Sequence, residues 1–470
     1  MGQDFYITTT LPYVNSDPHI GFALEIIRAD VLARYHRLIG DEVFFNTGTD
    51  EHGQKIYQKA LDEKREPQEY VDEYAAKFGR LKEALNLSYD NFIRTTDKHH
   101  VKAAQEFWKI VEKNEYIYKK NYKVKYCVGC ELEKTDSDLE DGFCPDHPGK
   151  KLEIREEENY FFRFSAFEDK LLMLYESNYK FVVPANRQKE VKNFVGSGLK
   201  DFSISRLKEK MPWGVPVPGD ETQIMYVWFD ALVNYISALG WPENMENFSK
   251  WWPGVQIAGK DNLRQQSAMW QAMLMAADLP NSKQILINGF ILSGGQKMSK
   301  SVGNVVDPFE YIEKYGTDAL RYFLLAKISP FEDSDFIRER FEETYTSDLV
   351  NGLGNLVARV VGLSHLGGVK DSHPRGVISV EVEKALERFG FDKALELIWD
   401  KIREADKLIN EKEVWKLEGE EKRKILTDLV NTIRQIGVDL QPFLPETAKK
   451  IIKQFTGPKI VRGKNLFERL

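Results

Sequence analysis

The chain has 470 residues, 42% of them hydrophobic and 30% charged, the profile of an ordinary soluble protein with room for several domains. Its net charge of −7 excludes a non-specific nucleic-acid coat, which needs overall positive charge, and no apolar run is long enough to span a membrane. The start, MGQDFYITTT, carries an acid at Asp4 and lacks the basic-then-apolar order of a signal peptide, so a cytoplasmic protein is expected.

FYITTT (5–10) is a β-rich run and predicts the first strand. The loop LPYVNSDP (11–18) follows, then a helical pattern from about 19 to 38. FFNTGTD (44–50) predicts a second strand running into a Gly-containing loop. This order opens a parallel α/β sheet, in which ligands sit at the carboxyl ends of the strands. Val71, Tyr74, Phe78, Leu81 and Leu85 recur at helical spacing and predict an amphipathic crossover helix. From 114 to 211 the chain turns rich in Lys, Tyr and Glu and holds all three cysteines, so it reads as an insertion. Two basic runs lie there, Lys119, Lys120, Lys123 and Lys125, then Arg206, Lys208 and Lys210; a solvated face is the favoured reading of each. The α/β pattern resumes with MYVWFDALVNYI (225–236), VQIAGKD (255–261) and QILINGFIL (284–292). Beyond about 340 the strands stop. Phe391, Leu395, Ile398, Ile402, Ala405 and Ile409 form one helix-bundle stripe, and Leu426, Leu429, Ile433, Ile436 and Leu440 another. The linker HLGGVKDSHPRG (365–376) breaks the bundle. The expected domains are 1–113 and 212–340, two halves of one α/β unit, with an insertion at 114–211 and a helical domain at 341–470.

Three motifs carry chemistry. PHIGF (18–22) falls just after the first strand and opens a helix, where backbone N–H groups and the helix dipole favour an anion. His19 can donate to a phosphate oxygen, and Gly21 lets a flat base or ribose approach the backbone. The alternative is a capped helix start with a core Phe22. KMSKS (297–301) follows the Gly-rich turn SGGQ (293–296). Lys297 and Lys300, separated by Ser299 on a loop, suit a leaving pyrophosphate; an exposed Lys/Ser loop is the alternative. CVGC (127–130) and CPDH (144–147) place Cys127, Cys130, Cys144 and His147 on two tight turns. Three thiolates and an imidazole make a tetrahedral zinc site with no open position, hence structural; three free thiols are the alternative.

PHIGF and KMSKS together resemble the paired signatures of class I aminoacyl-tRNA synthetases. TLPYVN (10–15), TGTDEHG (47–53), YVWFDA (226–231), GKD (259–261) and GNVVDP (303–308) resemble, in the same order, the methionyl-tRNA synthetase family in its short bacterial form with one zinc knuckle. The resemblance implies a Rossmann-like parallel sheet split by a zinc-binding connective insertion and followed by an all-α anticodon-binding domain. It implies ATP-dependent activation of L-methionine to methionyl-adenylate and transfer to the 3′ end of tRNA(Met). Mg²⁺ is expected to bridge the phosphates, Zn²⁺ to be structural, and the protein to be monomeric, with no membrane partner. By similarity His19, Lys297 and Lys300 are catalytic. ATP is expected at His19, Gly21, Glu25, Gly259, Asp261, Lys297, Ser299 and Lys300. Methionine is expected at Leu11, Tyr13, Asp50, Trp228, Tyr235, Gln266 and Trp270. Aromatic rings are good partners for a thioether and a carboxylate for an ammonium, although each aromatic alone is equally read as core packing. His52 falls near the active-site loop. Asn355, Arg359 and Trp415 resemble anticodon readers, through stacking and hydrogen bonds to unstacked bases.

The chain departs from the family at five places. Phe22 and Gln266 stand where histidines are usual, Gln265 where a phenylalanine is, Gln271 and Val414 where prolines are. Phe22 offers no donor, so a replacement is expected from Lys260, Arg264 or Gln265. A synthetase for another amino acid of the subclass, or a weakly active tRNA-binding relative, are the alternatives.

Overall fold

The structure, a computed structural model, describes residues 2–134, 139–147, 149–298, 303–364, 376–456, 460 and 463–469. Six strands form a parallel sheet: β1 (Asp4–Thr9), β2 (Glu42–Thr49), β3 (Asn91–Arg94), β4 (Val182–Val183), β5 (Val255–Gly259) and β6 (Gln284–Asn288), in the order β3-β2-β1-β5-β6-β4. Helices cover both faces, so the central strands are buried almost end to end; this is why ILIN and FYITT read as continuous runs. Ile7 lies opposite Phe45 on one side and Val255 on the other. Strand order reverses between β1 and β5. Their carboxyl ends, followed by TLPYVN and GKD, therefore frame the crevice where such sheets bind ligands.

Helix α1 (Ile20–Leu38) carries His19 as its N-cap and has Arg37 in its last turn, a cation suited to the dipole. Its middle is buried between the sheet and the helical region; of the two charged residues there Asp30 is ion-paired, and Arg28 is held by hydrogen bonds through its terminal nitrogens, its Nε having no partner among the described residues. Arg28 donates to Asn288 Oδ1 (2.9 Å) and to the carbonyls of Ile328, Ser329 and Pro330. Asp30 bonds Arg321 at 2.8 Å and Arg34 at 2.7 Å, and Arg321 also donates to the Phe443 carbonyl.

The segment 114–211 folds around an antiparallel sheet, Leu132–Lys134, Ile117–Cys127, Glu153–Phe162 and Phe202–Ser203. Its chain also returns to the main sheet, because β4 pairs with Ile285 and Leu286 of β6. The first basic run is a strand set in register against the acid-rich strand 153–162, Asn121 facing Glu158 and Lys123 facing Glu156, and Lys119 meets Asp220 at 2.8 Å. Arg206 departs from the solvated-face reading: it is buried and donates to Ser203 Oγ and the Ser205 carbonyl.

Among the described residues after 340 there are helices and no strands. Asn355–Ser364, Phe391–Glu411, Gly419–Asp439 and Pro445–Phe455 build the bundle. Both apolar stripes read from the sequence are buried in it.

Candidate active site

One end of the crevice is built on the first turn of α1. The Gly21 N–H donates to His19 Nδ1 at 3.0 Å, which leaves the ring proton on Nε2. A Cβ on Gly21 would lie 2.8 Å from His19 Cε1, so this turn requires glycine. Burial pushes the His19 pKa down to about 4, the Lys297 charge adding to the effect and Asp261 opposing it; the ring is a neutral donor at pH 7. His19, Gly21, Glu25, Gly259, Asp261 and Lys297 line one cavity of about 180 Å³. Burial raises the Glu25 carboxyl to about 8, against the hydrogen bonds it accepts from Thr10 N (2.9 Å) and Oγ1 (2.5 Å). Lys297 Nζ sits 4.4 Å from the Phe290 ring and 3.4 Å from Asp261 Oδ2. Ser299 and Lys300 lie outside the described residues.

The adjoining cavity, about 440 Å³, is lined by Leu11, Tyr13, Asp50, Trp228, Tyr235 and Gln266, with Phe22 and His19 at its junction with the first. Asp50 is buried, and its Oδ1 has no hydrogen-bond partner among the described residues. Burial, then the neighbouring carboxylates of Asp230, Glu131 and Glu51, push its carboxyl well above the usual range. Gln266 donates to the Tyr235 hydroxyl at 2.7 Å and accepts from Gln256 at 3.3 Å, while Gln271 donates to its carbonyl. Gln266 and Gln271, two of the glutamines that depart from the family, are thus joined in one buried amide network. Trp270 does not line the cavity. Fully buried, it stands behind Tyr235 with ring centroids 5.8 Å apart and packs on Phe107.

His52 is not at the cavity wall. Its Nδ1 bonds Asp230 Oδ2 at 2.6 Å, the other Asp230 oxygen takes His100 Nε2 at 2.9 Å, and His100 Nδ1 meets Ser237 Oγ at 2.8 Å. Burial alone would raise the Asp230 carboxyl, but the two imidazoles hold it down at about 2. One buried carboxylate therefore ties the TDEHG loop to the segment that supplies Trp228 and Tyr235.

In the insertion, Cys127, Cys130, Cys144 and His147 bring one ligand atom each within 4.8 Å of one another. The Sγ of Cys130 is 3.3 Å from Cys144 Sγ and 3.3 Å from His147 Nδ1; Cys127 and Cys144 lie 3.9 Å from that nitrogen. A tetrahedral ion with bonds of about 2.3 Å to sulfur and about 2.0 Å to nitrogen needs edges of this size, so the set fits zinc.

Of the three expected stand-ins for the missing imidazole, Lys260 and Arg264 are otherwise engaged, while Gln265 keeps a buried Oε1 with no hydrogen-bond partner among the described residues. Lys260 pairs with Asp333 at 2.6 Å and lies 4.2 Å from the Phe290 ring. Arg264 stacks on Phe194, and Gln265 is buried in a π-helical turn. In the bundle, Asn355 is exposed at a helix start; Arg359 bonds Asp406 and, at 2.6 Å, Asn410. Trp415 is 48% exposed on a short turn whose Val414 is buried beneath. Asn410 ends the helix that leads to Trp415, so Arg359 and Trp415 occupy the same end of the bundle.

Sequence reasoning missed Glu131, the residue after Cys130. Its carboxylate accepts from Tyr13 Oη (2.8 Å) and the Lys55 N–H (2.6 Å), and its carbonyl from Tyr226 Oη (3.0 Å). Gly53, at φ 107°, makes room: a Cβ there would fall 2.2 Å from Tyr13 Oη. The only sequence signal was adjacency to the cysteine pair, which says nothing of the direction in which an acid points.

A family model described as tRNA synthetases class I (M) matches residues 5–151 and 147–361. The chain is 41% identical over 477 residues to a methionine–tRNA ligase of Brucella melitensis, covering 97% of this chain and 92% of that one. It is 38% identical over 507 residues to the methionine–tRNA ligase of Thermotoga maritima, covering 99% and 80%. Among solved structures, Mycobacterium tuberculosis methionyl-tRNA synthetase in complex with methionyl-adenylate matches with a TM-score of 0.92 at 34% identity, over 99% of this chain and 100% of that one. The free form of that enzyme matches with a TM-score of 0.84 at 31% identity, over 100% and 99%.

Proposed function

This chain belongs to the methionine–tRNA ligase family of class I tRNA synthetases, and on that premise we propose how its residues divide the reaction. It is a ligase that activates L-methionine with ATP and charges tRNA(Met) with the product. The observation that carries the residue assignment is Asp50: a buried carboxylate with an unpartnered oxygen, on a cavity that opens directly into a phosphate-gripping turn. Such a group is costly unless a cation arrives, and the α-ammonium of methionine is that cation.

With the ammonium on Asp50, the side chain lies against Leu11, Tyr13, Trp228, Tyr235 and Gln266, and the methionine carboxylate faces the first turn of α1. That carboxylate attacks the α-phosphorus of ATP; the bond from this phosphorus to the β-bridging oxygen breaks, and pyrophosphate leaves. His19 Nε2–H donates to the phosphate oxygens as charge builds, and Lys297 moves from Asp261 to the leaving pyrophosphate, joined by Ser299 and Lys300. Glu25, Gly21, Gly259 and Asp261 line the space for the nucleoside. Mg²⁺ enters with the ATP phosphates. In the second step the terminal ribose hydroxyl of the tRNA attacks the adenylate carbonyl and AMP leaves. Cys127, Cys130, Cys144 and His147 would hold a structural zinc ion, which would fix the turn that presents Glu131 to Tyr13. Asn355, Arg359 and Trp415 read the anticodon. One chain holds the groups assigned to both steps, which supports a monomer, and its place of action is the cytoplasm. No helix among the described residues is long and apolar enough to cross a membrane. Methionine-dependent exchange of pyrophosphate into ATP tests the first step without tRNA; exchange with another amino acid in its place, or none, overturns the assignment.

A further inference from the structure

PHIGF ends in a ring that can neither donate nor accept a proton. Phe22 lines both cavities at their junction, and its backbone follows the helix, N–H to the His19 carbonyl at 3.0 Å. Its side chain covers one face of His19, with centroids 4.4 Å apart and planes inclined by 37°. Phe22 is braced in turn by Phe78, which meets it edge-on at 5.3 Å from the helix Pro67–Gly79. At its edge, in the ring plane, the imidazole accepts from the Gly21 N–H at Nδ1. We propose that Phe22 is a positioning residue that acts through His19: the phenyl face and the Gly21 N–H together clamp the ring plane, so that the single remaining N–H, on Nε2, stays aimed at the phosphate oxygens. The missing imidazole is then not replaced by a second donor. The first donor is held more tightly instead. An aimed hydrogen bond is worth more in a transition state than a mobile one, because no reorganisation is left to do when charge develops.

The inference rests on the assignment of His19 to the phosphates, and a double-mutant cycle separates the two. The pyrophosphate-exchange kcat is measured for Phe22→Ala, His19→Ala and the double variant, with thermal melts to confirm folding. Phe22→Leu, which keeps apolar bulk but has no flat face, is carried alongside in case the alanine variant does not fold. A fall of roughly 10- to 100-fold is expected for Phe22→Ala, the scale of a displaced catalytic group. In the His19→Ala background the same change is expected to alter kcat by less than about twofold, because the group it positions is gone. Wild-type kcat in Phe22→Ala and Phe22→Leu overturns the proposal, as do losses that multiply in the double variant. If His19→Ala alone is silent, the assignment of His19 fails and the role of Phe22 falls with it.

Discussion

Asp50→Asn removes a charge and keeps the shape. Asp50 is 7% exposed, its Oδ1 has no partner among the described residues, and it faces the cavity assigned to methionine. A hydrogen bond to a charged group contributes about 1.5–3 kcal/mol, so losing the ammonium contact should raise KM for methionine roughly 10- to 150-fold. KM for ATP should stay close to wild type, because the nucleotide cavity does not include Asp50. The folded protein also holds this carboxyl's proton to higher pH than an unfolded chain does. Its stabilising contribution is therefore complete below the unfolded pKa of about 3.8 and is lost as pH rises through the folded value. An amide in its place carries no such penalty, so the variant should melt at a higher temperature than wild type at pH 7. Binding an ammonium favours the carboxylate, so wild-type enzyme should release protons on taking methionine and show a KM that falls as pH rises; Asp50→Asn should show neither. The assays are pyrophosphate exchange across pH, calorimetry in buffers of different ionisation enthalpy, and thermal melts. A methionine KM within twofold of wild type, or a lower melting temperature with unchanged proton release, would refute the reasoning.

Trp415→Ala should lower kcat/KM for tRNA charging by roughly 5- to 150-fold, the loss of one stacked base at about 1–3 kcal/mol, while leaving pyrophosphate exchange intact; a parallel fall in exchange rules out an anticodon role. Cys144→Ser should release the metal, read as zinc per chain by elemental analysis, and raise KM for methionine because the freed turn carries Glu131, the partner of Tyr13. Retained stoichiometric zinc, or an unchanged KM after its loss, would sever that link. Asp230→Asn breaks a buried carboxylate that serves two imidazoles and should cost about 3–5 kcal/mol in denaturant melts at pH 7. The Asp230 carboxyl sits at about 2 when folded against about 3.8 when unfolded, so its contribution is present above about 3.8 and fades as pH falls towards 2. The gap between variant and wild type should narrow over that window, and a gap independent of pH assigns the loss to packing.

The elements that were legible in the sequence are those whose signal is local. The N-cap His19, the stripes of the bundle and the Cys/His spacing each involve residues within a few turns of one another, and the structure places them as read. What could not be read depends on where distant segments meet. Trp270 and Tyr235 are both aromatic and both buried, yet Tyr235 lines the cavity and Trp270 backs it. Lys260 reads in sequence as a cation for phosphate or for a neighbour, and its partner is Asp333, 73 residues further on. Glu131 reaches the methionine cavity only because the insertion folds back onto Tyr13 and Lys55, which no periodicity reports. Arg206 looks like part of a basic surface run, but it is buried and donates to Ser203 and Ser205.

The charges buried along α1 explain why these distant pieces arrive together. Apolar residues at Arg28 and Asp30 would bury as well and let the helix slide by a turn against its neighbours, since hydrophobic contact has no direction. Arg28 instead meets Asn288 at the end of β6 and three carbonyls of the loop 328–330, and Asp30 meets Arg321, which in turn meets the turn at Phe443. These hydrogen bonds are satisfied in one register only, and a shift of one turn would leave a buried guanidinium and a buried carboxylate unpaired, at a cost of several kcal/mol. His19 is the N-cap of that same helix. The aim of its Nε2–H therefore depends on contacts two and three turns away as well as on Phe22 and Gly21, and the loop that ends in Asp333 and holds Lys260 is tied to the same rod. The first turn of α1, the GKD lysine, the helix of Arg321 and the turn at Phe443 share one element, so the crevice can be assembled from segments that are hundreds of residues apart in the chain.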